Sequence, residues 1–203
     1  MIELKTPFSE DAISQLKVGD VVSITGYIFC GRDAVLPRIC KELETGTWEK
    51  RGIDLHGGVI FHTAVSPAGV GPTSSNKLEI ESSFETLSKI GGIKMHLGKG
   101  AIKPETVKML AENNAVFAII PPVTALLESQ TLERECVAWP ELGMEALYRI
   151  KVENYQAIIA AAKGESIYDE YQRKSGGLPR PCRLHFQRRP EGSLPPCHRR
   201  REK

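Results

Sequence analysis

Two short polar motifs carry most of the chemistry this sequence could perform. Gly71-Pro72-Thr73-Ser74-Ser75-Asn76-Lys77 sets three hydroxyls and a lysine behind a Gly-Pro turn, and Gly98-Lys99-Gly100, about two dozen residues later, holds a second lysine between glycines. Glycine lets backbone N–H groups approach a ligand closely, and such groups beside a cation suit an anion. A third piece, Gly31-Arg32-Asp33, follows the apolar run Val21 to Phe29. A guanidinium can hold a carboxylate through two parallel hydrogen bonds. Arg32, Lys77 and Lys99, with the hydroxyls of Thr73 and Ser74 and the turn at Gly71, therefore describe a site for a small molecule with two negative ends. A plainer reading stands beside each piece. Arg32 could pair with Asp33 at the surface, Thr73 to Ser75 could cap a helix, and Gly98-Lys99-Gly100 could be a simple turn.

The elements that must position these residues alternate between strand-like and helix-like runs. Val21 to Phe29, Gly58 to Thr63, Met95 to Leu97, Ala115 to Ile120 and Ala157 to Ala162 read as strands. Asp33 to Leu43 reads as a helix with Val35, Ile39 and Leu43 on one face and Pro37 near its start, where a missing N–H is tolerated. Lys77 to Ile90 reads as a helix ended by Gly91-Gly92, Pro104 to Asn114 as a helix with proline first, and Leu142 to Ile150 as helical. This alternation predicts a single mixed α/β domain.

The net charge of +2 hides two unlike parts. Residues 1–172 carry 17 Lys/Arg against 23 Asp/Glu, and residues 173–203 carry 10 against 2. The second segment also holds eight of the 13 arginines and five of the 13 prolines, with Phe186 as its one aromatic residue. It has too little apolar surface to offset the entropy of ordering, and is expected to be a flexible basic tail or a non-native extension. A nucleic-acid-binding arm is a weaker expectation. The five cysteines are widely spaced with no C-x-x-C, which argues against a disulfide framework and against a metal site built by this chain alone. No apolar run approaches the roughly 18 residues of a membrane span, and MIELKTPFSEDAI has no signal-peptide pattern. A cytoplasmic protein away from the membrane is expected. His62 and His96 read as strand residues of the core or surface rather than ligands, and Cys30 and Cys40 as buried thiols.

Taken in order, Thr25-Gly26, Gly31-Arg32-Asp33-Ala34, Gly71-Pro72-Thr73-Ser74-Ser75, Gly98-Lys99-Gly100 and Glu141-Leu142-Gly143-Met144-Glu145-Ala146 resemble the β subunit of class I, iron–sulfur-dependent fumarate hydratases. The same domain is the β subunit of L-tartrate dehydratase. The resemblance covers residues 1–172. It implies the swivelling β/β/α fold and an α-subunit partner that holds a [4Fe–4S] cluster, with no metal on this chain. It further implies a substrate site shared between the two chains, so that this chain alone is inactive and could form a homodimer through the surface meant for α.

For the residues, the resemblance implies that Arg32 binds a substrate carboxylate and that Thr73 contributes a carboxylate-binding hydroxyl. Ser74 falls where relatives place the group proposed to abstract the proton, and Lys99 would touch a carboxylate or that base. Asp33 would orient Arg32. Three departures stand out. Lys77 replaces a second arginine and loses its bidentate fork, Leu36 stands where relatives often have histidine, and Pro121-Pro122 replaces Gly-Gly. The expected activity is the reversible hydration of fumarate to (S)-malate. L(+)-tartrate or another 2-hydroxy diacid is the alternative substrate, and a non-catalytic binding module the second alternative.

Overall fold

The computed structural model describes residues 1–67, 69–71, 80–120 and 124–169. The β-branched run after Asp20 becomes strand β2 (Val21–Cys30), since side chains stiff at χ1 pack well on a pleated surface. Its first half pairs in parallel with β1 (Ile2–Lys5), and its last residues pair in parallel with β3 (Val59–Phe61). β3 pairs in parallel with β6 (Met95–Gly98), and β6 with β7 (Val116–Ile119). The 16-residue β9 (Leu147–Ala162) then runs antiparallel to both β7 and β2. The path β2-β3-β6-β7-β9 thus returns to β2, and the sheet closes on itself as a small barrel. The short strands β4 (Val65–Ser66) and β5 (Gly69–Val70) form a hairpin beyond β3, while β8 (Thr131–Ala138) and β10 (Glu165–Ser166) lie along β9.

Period-two alternation splits the core in two. Val59 and Phe61, Met95 and Leu97, Val116 and Ala118, and Ile150 and Val152 belong to one buried cluster with Val22, Ile24 and Ile28. The intervening Ile60 and Phe117 belong to a second cluster. That cluster is completed by apolar residues of α2 (Leu36–Glu44), α3 (Phe84–Lys89) and α4 (Pro104–Glu112), among them Leu36, Ile39, Phe84, Leu87, Val107 and Leu110. The helices α1 (Glu10–Gln15) and α5 (Thr124–Ser129) complete the fold. The result is one mixed α/β domain. Among the described residues no helix is long and apolar enough to cross a membrane.

Between β6 and α3 lies a buried polar chain. Ser88 Oγ is 2.9 Å from His96 Nε2, and His96 Nδ1 is 3.2 Å from His62 Nε2. Both rings stack on Phe84, with centroids 4.0 Å away for His96 and 4.8 Å for His62. Neutral imidazole can donate at one nitrogen and accept at the other, so one tautomer arrangement satisfies both contacts without charge. Burial pushes the pKa of His62 down to about 3, and burial together with His62 holds His96 well below its ordinary value.

Most of the expected elements are present. The helix expected over Asp33 to Leu43 begins at Leu36 with Pro37 in its first turn, and Pro104 opens α4. Of the helix expected over Lys77 to Ile90, residues 77–79 lie outside the described residues, and Phe84–Lys89 is helical. Cys30 is buried as expected, whereas Cys40 is only partly so. The helix expected over Leu142 to Ile150 is absent. A short 3-10 turn, Pro140–Glu145, ends there and β9 begins at Leu147. Gly143 breaks the turn with φ 60° and ψ −123°, a conformation open to glycine and closed to residues with a Cβ. The apolar spacing of Leu147 and Ile150 that suggested a helix belongs to a strand.

Two stability outcomes follow. Phe61 is fully buried inside the barrel, so Phe61→Ala is expected to lower the unfolding free energy by about 3–5 kcal/mol in urea denaturation. Below pH 6.5, the ordinary histidine value, the unfolded chain gains protons on His62 and His96 that the folded chain refuses until far lower pH. Stability is therefore present above that pH and falls as pH drops towards about 3, by up to about 1.4 kcal/mol per pH unit for each histidine. Urea midpoints measured from neutral pH to about pH 5 check this, and His62→Asn should flatten the slope.

Candidate active site

Because β2, β3, β6 and β7 are parallel, the loops that follow them leave from one edge of the barrel. Ligands of parallel sheets gather at such carboxyl edges. Pairing continues one residue past β2, β3 and β7. The Gly31 N–H donates to the Phe61 carbonyl at 3.0 Å, the His62 N–H to Leu97 at 2.9 Å, and the Ile120 N–H to Gly98 at 3.2 Å. Three of the residues expected to form the site leave from this edge. Arg32 follows β2 by two residues, Lys99 follows β6 directly, and Gly71 is tied to the segment just beyond β3.

Arg32 sits in the turn between β2 and α2, where its carbonyl accepts the N–H groups of Val35 and Leu36 at 3.0 Å each. The turn is tight, since a Cβ on Gly31 would meet Val35 Cγ1 at 2.7 Å. The Arg32 side chain is 20% exposed. Its Nη2 lies 3.5 Å from Asp33 Oδ2 and its Nε lies 3.0 Å from Glu145 Oε1. Asp33 and Glu145 thus share the side edge of the guanidinium.

Gly71 is held from both sides of its peptide. Its N–H donates to the Ala64 carbonyl at 3.2 Å, and its carbonyl accepts from the buried Thr63 hydroxyl. The barrel therefore fixes the point where the chain enters the hydroxyl motif. Thr73, Ser74, Ser75, Asn76 and Lys77 themselves lie outside the described residues, as do Pro121 and Pro122.

On the far side of that motif, the buried Glu81 fixes the chain again. Its Oε2 accepts from the Lys103 N–H at 3.0 Å and from the Thr106 hydroxyl at 2.8 Å. Lys103 is the N-cap position of α4. A carboxylate there meets free N–H groups and the positive end of the helix. One side chain thereby ties the residues after Lys77 to the loop that carries Lys99-Gly100. Lys99 is exposed at the start of that loop.

Thr63, Glu81 and Glu145 were not marked by spacing or residue type. Glu145 lies inside the Glu141 to Ala146 stretch, whose role the motif does not disclose. Thr63 and Glu81 act on partners that only folding brings near, and the sequence carries no signal for either.

The described residues contain no group of three or more His, Cys, Asp or Glu placed to hold a metal ion. Cys30 is fully buried, and burial drives its thiol far above the ordinary cysteine value, away from the thiolate a metal or cluster requires. A [4Fe–4S] cluster does not fit this set of residues.

The chain matches the family described as Fumarase C-terminus over residues 1–171. It is 33% identical to the Escherichia coli L(+)-tartrate dehydratase subunit beta over 172 residues, 78% of this chain and 81% of that protein. It is 31% identical to a Methanocaldococcus jannaschii protein provisionally named L(+)-tartrate dehydratase subunit beta, over 80% of this chain and 88% of that one. It is 28% identical to the anaerobic class I fumarate hydratase of Escherichia coli over 85% of this chain, and spans 33% of the length of that enzyme. With the match running through the barrel, the Arg32 turn and the Lys99 loop alike, the chain belongs to the fumarase C-terminus family.

Proposed function

We propose that this chain is the β subunit of a two-chain hydro-lyase that reversibly hydrates fumarate to (S)-malate at a site shared with an α subunit. The observation that carries the reading is the placement of Arg32 and Lys99 on one carboxyl edge of the barrel, with Gly71 leading the hydroxyl motif in from β3. Residues 1–172 would form the working domain and residues 173–203 an appendage to it.

Hydration adds a hydrogen and a hydroxyl across a double bond that only its carboxylates activate. Both carboxylates must be held in fixed orientation. In the reverse direction, removing the proton next to a carboxylate leaves an enolate-like group with extra negative charge. Preorganised cations stabilise that charge more than they stabilise the ground state. Arg32 would grip one carboxylate through two hydrogen bonds. Lys99, with Lys77 and the Thr73 hydroxyl, would hold the second and absorb the developing charge. Ser74 would take the proton, a role that needs a neighbour to lower its pKa or to relay its proton. The α subunit's [4Fe–4S] cluster would supply a Lewis acid for the hydroxyl.

L(+)-tartrate is the second reading. It is favoured by relatives that this chain covers over most of their length, among them the Escherichia coli and Methanocaldococcus jannaschii proteins, which are named for that substrate. Malate and tartrate share the two carboxylates and differ by one hydroxyl.

Anaerobic assays of this chain with the α subunit from the same source test the proposal. Fumarate hydration is expected from the mixture and from neither chain alone, while turnover of L(+)-tartrate alone would move the assignment to the second reading. In the active mixture, Arg32→Ala is expected to lower kcat/KM by about 2–4 kcal/mol, the range for truncating one member of a buried charge pair. Ser74→Ala is expected to lower kcat with little change in KM.

A further inference from the structure

We propose that Glu145 is a positioning residue for Arg32: its carboxylate fixes the plane of the guanidinium that receives substrate. This rests on the reading of Arg32 as a carboxylate clamp. The contact is the 3.0 Å approach of Glu145 Oε1 to Arg32 Nε, between side chains 35% and 20% exposed. Nε lies on the ring-like plane of the guanidinium next to the side-chain stem. The Nε–H is not aimed at this carboxylate as a hydrogen bond, so the hold is a charge contact on the guanidinium beside its stem. Asp33 adds a longer contact at Nη2, 3.5 Å away. Together they occupy the side edge of the guanidinium.

The segment carrying Glu145 is built to hold it there. At its start Trp139 adopts φ 51°, and the Arg51 guanidinium lies over its ring at 3.9 Å. Within it, Glu141 pairs with Arg38 of α2 at 2.7 Å. Gly143 then reverses the chain in its glycine-only conformation, and its carbonyl accepts from the Tyr148 hydroxyl at 3.0 Å and the Ala146 N–H at 3.2 Å. At its end, Ala146 and Leu147 are buried. The stretch from Glu141 to Glu145 therefore spans the first turn of α2, one carboxylate on the arginine inside the helix and the other on the arginine before it. Both pairs are partly exposed, and such pairs contribute little to stability. The function of Glu145 is thus orientation rather than folding.

The test compares Glu145→Ala, Glu145→Gln and Arg32→Ala in the α–β complex with fumarate and L(+)-tartrate as probes, beside the Arg32 Nε–H signal of the full chain by NMR, assigned by its loss in Arg32→Lys. Glutamine keeps the shape but removes the charge that makes this contact, so both variants should raise KM about tenfold or more and lower kcat less. Nε–H exchange should quicken about tenfold in both variants, since each removes a negative charge that keeps hydroxide away from the Nε–H. If Glu145→Ala matches the parent while Arg32→Ala is crippled, the positioning role is overturned and the clamp stands. If Arg32→Ala matches the parent on both substrates, the clamp reading falls, and unchanged Nε–H exchange in Glu145→Ala would then overturn the orientation as well.

Discussion

The hydrogen-bonding of β9 is the constraint from which the rest of the molecule takes its form. One edge of this strand pairs with β2 along most of its length, and the other pairs first with β8 and then with β7. Without it, the parallel run β2-β3-β6-β7 would be an open sheet with two edges of unpaired N–H and C=O groups. With it, both edges are consumed and the interior becomes a closed apolar space filled by valine, isoleucine and methionine. Closure also sets which way each strand faces. A shift of one residue in register would move every interior side chain outward.

Closing the barrel in this direction brings the carboxyl ends of β2, β3 and β6 to one rim, which is why Arg32, Gly71 and Lys99 leave the sheet together. The rim is then stiffened by side chains whose polar groups are buried. Thr63 holds the entry to the hydroxyl motif, and Glu81 joins its exit to the cap of α4. Buried carboxylates and hydroxyls are costly unless hydrogen-bonded, so their pairing fixes loop positions in a way that exposed polar contacts could not. The Ser88–His96–His62 chain does the same one layer deeper, behind β3 and β6.

The electrostatics of the rim are not simply positive. Arg32 lies between Asp33 and Glu145, and its charge is therefore compensated before substrate arrives. The reading of Arg32 as a clamp asks for a rigid fork more than for an isolated charge. Two carboxylates on its side edge meet that need, because a planar guanidinium with one edge held loses little further freedom when a substrate carboxylate meets the other.

Much of the frame was legible in the chain itself. The β-branched runs at Val21, Val59 and Val116, the prolines that open α2 and α4, and the glycines around Arg32 and Lys99 are local signals, and local physics reads them correctly. β8 left no such mark: Thr131 to Cys136 is largely exposed on both faces and alternates Glu with Arg, so no apolar side betrays a strand. The first half of β9 was disguised by the spacing of Leu147 and Ile150. Sequence alone determined which residue types stand in the tight turns and therefore which chemistry is available. Only the tertiary structure decided that Arg32 is held by Glu145, that Glu81 joins two loops, and that β9 closes the sheet. Each of these is a contact between segments far apart in the chain, and its energy comes from burial and register that exist only once the barrel has formed.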